Sequence, residues 1–325
     1  MKKNIVFTIL FFCAMNIIAQ EKIVYKPQTG IFDIRKNIMS TGLPLELDQN
    51  KMEKLDTVQL RIQYSVKYRS AKEDPLKESV EALYIGSQIT EYRENILQYG
   101  GEHMPEALKG DPTKWNEEIM KKAMVFEGKM NRYKPTPFTV QKDYPEKGIQ
   151  RCYNYLMFEG FKSNKPKVNP NIYYDEPIPH IDWELEEGDT VICDYACQRA
   201  SALFRGRTWK VWYAPGLPYQ DGPWKLQGLP GLILKAEDVS GDFHFEAVEI
   251  KRPEVEYIVK HPAYEQYVRG TPKRLKDLTD MLYKNPRTLL LMMADEENIK
   301  KFENQGVTIN IPQQSRTPCL IEKYE

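Results

Sequence analysis

The stretch Val58-Gln59-Leu60-Arg61-Ile62-Gln63-Tyr64-Ser65-Val66-Lys67-Tyr68 decides the fold. Apolar, β-branched or aromatic residues occupy every second position, and Gln, Arg, Ser and Lys fill the positions between. A period of two with these residue types is a β-strand with one buried face. Asp74-Pro75 makes a turn, Glu78–Ile85 is a partner strand, and Gly86 ends it.

Downstream, Phe138 to Ile250 reads as strands broken by turn residues. Strands are expected near Gly148–Phe158, Ile181–Leu185, Thr190–Arg199, Thr208–Ala214, Leu232–Asp238 and Phe243–Ile250. Gly188-Asp189, Arg205-Gly206, Asp221-Gly222-Pro223 and Ser240-Gly241 lie between them, and such short connections favour an antiparallel meander over helical crossovers. Asn164–Pro179, rich in Pro, Asn and Lys, reads as a surface loop. A helix is expected near 112–128, capped by Asp111 and ended by Gly128, with Trp115, Ile119, Ala123 and Phe126 as its apolar stripe. After Pro253 the chain turns helical: one helix from Thr271-Pro272 to about Lys284, another stretch from Pro286 toward Phe302, then a short strand at Val307–Ile311.

The fold class expected is therefore mainly β (α+β): one domain with a curved antiparallel sheet meander and a few packed helices. Residues 20–252 form the sheet-rich core and 253–325 a helical C-terminal appendage. By architecture alone it is comparable to the half-barrel of periplasmic lipoprotein carriers.

Composition bounds the partners. Among 325 residues, 46 are basic and 46 acidic, 41% are hydrophobic and 28% charged. Balanced charge with this apolar content argues against a disordered chain, and it excludes nucleic acid as the main partner, which calls for a basic excess. The leader Met1–Ala19 has Lys2-Lys3, an apolar run from Ile5 to Ile18 and a small residue before Gln20. This is the layout of a secretory signal peptide, too short for a membrane anchor. No other stretch is long enough to span a membrane, so the protein is expected to be exported, to the periplasm, the outer membrane or the medium.

Cys13 leaves with the leader, and Cys152, Cys193, Cys197 and Cys319 remain. An even count in an exported protein makes disulfides the expectation, with connectivity open. On one strand, Cys193 and Cys197 would lie about 13 Å apart, too far to pair with each other. Buried inert thiols, and less readily redox or metal chemistry, are the alternatives. The four His are dispersed; His180 lies near Asp182, and His244 shares a strand face with Glu246. There is no H-E-x-x-H, nucleophile elbow, P-loop or S-x-x-K. No catalytic, cofactor-binding or metal residue is assigned, and catalysis by scattered residues stays open.

Aromatics are the more informative feature. Trp209, Val211 and Tyr213 share one face of their strand, and Trp212 shares the other with Thr208 and Lys210. With Trp224, these aromatics are candidates for a face that meets a lipophilic ligand, an extended peptide or a partner. Core packing under the helix near 112–128 is the competing role.

Gly228-Leu229-Pro230-Gly231-Leu232-Ile233 reads as a type II turn that sends the chain into an apolar strand, with Pro230 at the second position and Gly231 at the third. The same six residues spell GLPGLI, and the chain resembles the GLPGLI (Porph_ging) family of exported proteins of Gram-negative bacteria. Asp194-Tyr195-Ala196-Cys197-Gln198-Arg199-Ala200 is similar to that family's Tyr-x-Cys-x-Lys-Ala segment, with Arg199 in place of Lys. Phe204-Arg205-Gly206-Arg207 resembles its FxGR turn. Trp212-Tyr213-Ala214-Pro215 and Gly222-Pro223-Trp224-Lys225 resemble its WYxP and GPxKF stretches, with Leu226 replacing Phe. Leu83-Tyr84-Ile85-Gly86 and Cys319-Leu320-Ile321-Glu322 resemble its outer landmarks; Gly216 departs from an often acidic position. The resemblance implies export and no chemistry. The functional expectation is a non-catalytic envelope protein that binds a lipophilic ligand or extended peptide. The alternatives are a thiol-active or hydrolytic enzyme, and a structural subunit with an outer-membrane partner.

Overall fold

A computed structural model describes residues 52–109, 116–130, 136, 138–154, 171–260, 264–265, 267–285 and 317–323. The leader, the helical stretch after Pro286 and the Val307–Ile311 strand lie outside these residues. In chain order come β1 (Lys54–Thr57), β2 (Leu60–Tyr68), β3 (Lys77–Ile85), β4 (Thr90–Glu94) and helix α1 (Ile96–Glu102). Helix α2 (Glu117–Met130), β5 (Phe138–Lys142), β6 (Ile149–Asn154) and β7 (Ile172–Pro177) follow. Then come β8 (Glu184–Ile192), β9 (Tyr195–Phe204), β10 (Arg207–Ala214), β11 (Leu232–Asp238) and β12 (Phe243–Lys251). Last are β13 (Tyr257–Val259), β14 (Val268–Arg269) and helix α3 (Pro272–Lys284).

Twelve strands form one sheet in the order β14-β7-β6-β5-β4-β3-β2-β12-β11-β10-β9-β8, while β1 and β13 make a separate ribbon. The fold is mainly β, a large, curved, open sheet with few helices. Within the large sheet, only β14 runs parallel to its neighbour. The opening stretch fixes the register: Leu60 pairs with Ile85, Tyr64 with Glu81 and Tyr68 with Lys77. Leu60, Ile62, Tyr64, Val66 and Tyr68 are buried on the concave side. Arg61 and Gln63 point the other way, where Arg61 bonds Glu102 and Glu256 while Gln63 donates to the Glu81 carbonyl.

The concave side is filled by the chain itself. The loop 215–231, between β10 and β11, folds back over it and buries Leu217, Trp224, Leu226 and Leu229. It is anchored to strands along the sheet. From β4, Thr90 donates to Asp221 at 2.7 Å. From β5, Lys142 pairs with Asp221 and reaches the Gly222 and Leu226 carbonyls. From β7, Glu176 meets Lys225 Nζ at 2.7 Å, and Tyr174 Oη lies 3.0 Å from that nitrogen. Residues 317–323 close one end: Pro318 bridges Ala71, Glu322 pairs with Lys225, and Arg207 Nε donates to the Leu320 carbonyl at 2.9 Å.

Several local expectations are corrected. Thr190–Arg199 is not one strand but the tip of the β8–β9 hairpin, where Ile192 pairs with Tyr195. Cys193 and Asp194 take positive φ, 48° and 66°, as a two-residue hairpin turn requires. The loop expected over Asn164–Pro179 contains β7, whose Tyr173 and Tyr174 face opposite sides of the sheet. Residues 253–285 are not wholly helical, since β13 and β14 precede α3. The GLPGLI turn is not type II: the Gly231 amide bonds the Leu229 carbonyl (2.8 Å), and the Leu232 amide goes to the Leu217 carbonyl (3.1 Å). Gly231 is required by close approach, because a Cβ there would sit 2.4 Å from the Ala214 carbonyl oxygen.

Candidate functional site

The aromatic candidates separate cleanly. Trp209 is 0% exposed, Tyr213 1% and Trp224 1%. Trp224 lies 5.7 Å from both Trp209 and Phe204, and 6.5 Å from Phe138. Trp209 also meets Phe245 at 6.1 Å, and Tyr213 donates to Gln198 at 2.7 Å. These rings are the centre of the core, covered by the loop 215–231, and they offer no open platform. Trp212 alone of the four faces outward, half-buried, with Lys235 Nζ 5.1 Å above its ring.

The expected disulfides are absent among the described residues: Cys152, Cys193, Cys197 and Cys319 are free thiols. The sheet puts Cys152 on β6 and Cys197 on β9, far apart in strand order, and Cys193 sits in the hairpin turn. Each sulfur has a neighbour other than a thiol: Glu176 at 3.9 Å for Cys152, the Ala247 carbonyl at 3.3 Å for Cys193, the Tyr195 carbonyl at 3.4 Å for Cys197, and Arg207 at 3.5 Å for Cys319. Burial pushes the Cys152 thiol up to about 12, and Cys197 and Cys319 up to about 11. Burial and neighbouring Asp194 also raise Cys193. A nucleophilic thiol needs the opposite shift.

The charged clusters inside the sheet hold structure together. Arg207 bonds Asp238 at 2.6 Å and Asp242 at 3.1 Å. Lys225 lies between Glu176 and Glu322; burial would raise Glu176, but Lys225 and Arg205 hold it below its ordinary range. His180 and Asp182 are 3.2 Å apart and fully open to solvent. His244 meets Glu246 at 3.1 Å and Glu237 at 3.5 Å on a partly exposed strand face. Among the described residues no group of three or more His, Cys, Asp or Glu is placed to hold a metal ion.

What the sequence did not single out is a pocket of about 240 Å³ on the convex face. Strand alternation builds it. The residues whose neighbours fill the core, Gln141 of β5, Arg151 and Tyr153 of β6 and Tyr173 of β7, project outward into it. Tyr144 joins from the β5–β6 turn, and the segment after β13 folds Lys260, Tyr264 and Tyr267 over them. Tyr264 stacks on Tyr153 at 4.1 Å and 15°, while Tyr267 meets Tyr153 edge-on at 5.3 Å. Arg151 lies 5.1 Å from the Tyr144 ring and 4.9 Å from the Tyr173 ring, fixed by two bonds to Asp175 of 2.6 and 2.9 Å. Below, buried Glu91 accepts from Tyr264 (2.7 Å) and Gln141 (3.0 Å). Burial pushes the Tyr153 and Tyr264 phenols well up, so both stay neutral. Chemically the site offers flat ring faces, hydroxyl edges, cations that already have counter-ions, and the exposed carboxylate of Glu265.

No family model and no curated protein matches the chain. Among solved structures, it is similar to PNGF-II in two crystal forms. One is 15% identical with a TM-score of 0.41, covering 69% of this chain and 33% of that one. The other is 14% identical with a TM-score of 0.39, covering 69% and 32%. The LolA superfamily protein NE2245 from Nitrosomonas europaea is 7% identical with a TM-score of 0.21, covering 68% of this chain and 94% of that one. This chain thus spans about a third of the PNGF-II chain. Scores this low transfer neither function nor binding mode.

Proposed function

We propose that this is an exported, non-catalytic binding protein of the GLPGLI family that holds its ligand in the tyrosine-lined pocket on the convex face. The observation that carries the reading is the pocket itself, with five tyrosines gathered from β6, β7, a turn and the segment after β13. These partly buried rings leave about 240 Å³ open between them. The core position of Trp209, Tyr213 and Trp224 favours this face over the concave one. The leader Met1–Ala19 and the GLPGLI segment support export and family. Protein sequencing of the mature form from envelope fractions should begin at Gln20.

The binding role is tested by ligand-observed saturation-transfer NMR with a panel of small aromatic amides, alicyclic alcohols and methyl glycosides. Several compounds should show transfer that disappears in Tyr173→Ala. Transfer unchanged in that variant, or none from any compound, contradicts the reading.

A further inference from the structure

We infer that the convex pocket recognises a neutral saccharide unit, an inference that rests on the binding role proposed above. Four properties of the pocket point to this class. First, ring faces: a pyranose has an apolar face of C–H groups, and tyrosine rings provide flat surfaces for it at little cost in side-chain entropy. Second, charge: both cations in the lining are already matched, and its one carboxylate, Glu265, is solvent-exposed. Arg151 is bidentate to Asp175, and Lys260 pairs with Glu53 at 3.4 Å. A phosphate or carboxylate ligand would have to displace these carboxylates, whereas a neutral ligand need not. Third, hydrogen bonding: half-buried Tyr144 and Tyr173 line the pocket, and neither hydroxyl has a protein partner among the described residues. They can donate to and accept from sugar hydroxyls, and a lipid tail would leave them unpaired. Fourth, size: about 240 Å³ is room for one or two rings and is short for an acyl chain.

The contest is with a peptide carrying a proline or aromatic side chain, which the same rings could stack. Neutrality is what separates a saccharide from most charged peptides, and the open phenol hydroxyls favour a ligand with many hydroxyl groups.

The test is a titration of the full-length mature protein, tyrosine rings labelled with carbon-13, followed by NMR. The probes are methyl glycosides of glucose, mannose, galactose and N-acetylglucosamine with their disaccharides, against N-acetyl-tyrosinamide and an acetylated proline dipeptide. The inference predicts saturable shifts of pocket tyrosines with at least one glycoside. That affinity should change less than twofold between 50 and 500 mM salt, as a neutral ligand requires. It should fall tenfold or more in Tyr173→Ala. Tyr173→Phe, which keeps the ring and removes only the hydroxyl, should cost about threefold and stands in if the alanine variant is poorly folded. Trp212→Ala, on another part of the convex face, should leave affinity unchanged. If only the tyrosinamide or proline probe binds, lost in Tyr173→Ala, the saccharide inference fails and the binding role stands. If no probe moves the pocket tyrosines, both fail.

Discussion

Trp224 concentrates much of what holds the loop 215–231 in place. Its φ of 55° is one that large residues rarely adopt, yet its indole is buried against Trp209, Phe204 and Phe138. Trp224→Ala should cost about 3–5 kcal/mol in denaturant unfolding, the usual loss for removing a buried Trp. Glu81 sets a pH dependence. It faces the concave side with the hydroxyls of Thr136, Tyr92 and Ser79 beside it, and burial raises its pKa from 4.5 to about 7 against their pull. The folded protein therefore keeps this proton longer than the unfolded chain does. Stability should fall as pH rises from 4.5 to 7 and then level off, by roughly 3 kcal/mol in total. In Glu81→Gln that fall should be missing from urea unfolding curves taken at pH 5, 6, 7 and 8; an identical slope in the variant assigns it elsewhere. At this scale the sequence was legible where burial follows alternation, as in Leu60, Ile62 and Tyr64. It named both faces of Trp209–Tyr213 but could not choose between them, since the choice depends on which side the distant residue Trp224 occupies.

Elements were read well when one local signal sufficed. Helix α3 begins where Thr271-Pro272 said, with the Thr271 side chain accepting from the Arg274 amide at 3.2 Å. Thr271→Ala should cost about 1 kcal/mol, measurable as a lower unfolding midpoint with unchanged slope. The β8–β9 hairpin was missed because Cys193-Asp194 lacks the Asn-Gly or Asp-Gly signature, although the backbone takes the same positive φ. Strand β7 was hidden by the polar composition around Ile172-Tyr173-Tyr174, whose two tyrosines serve opposite faces. In the GLPGLI segment Gly231 was correctly marked as special, but the reason lies in tertiary contact rather than in a type II turn. Gly231→Ala should lower the midpoint more than an ordinary Gly→Ala change, because the added carbon meets a backbone carbonyl rather than a movable side chain. Gly101, which has nothing within 4 Å and no positive φ, is the control for an ordinary Gly→Ala change.

Across the whole molecule, a curved sheet is a shape that could hold a ligand, and here its concave side is occupied by residues 215–231 and sealed by residues 317–323. Two buried lysines, Lys142 and Lys225, tie the loop to β5 and β7. Removing Lys225 takes the buried cation from between Glu176 and Glu322 and leaves them only the partly exposed Arg205, so Lys225→Met should cost several kcal/mol, and adding Glu176→Gln and Glu322→Gln should recover most of it. The meander and its closing curvature could be anticipated from short connections and alternating strands. The pocket could not, because Tyr153, Tyr173 and Tyr264 meet only through strand register and a chain return of about a hundred residues. The central claim is that the interior is closed and that ligands engage the convex face. Titration with 9,10-dibromostearate, a short-range quencher carried on an acyl chain, tests it most directly through the short-wavelength tryptophan emission expected of the buried Trp209 and Trp224. That emission should remain unquenched as the fatty acid is added; saturable quenching at one equivalent would place a lipid inside the sheet and contradict the account.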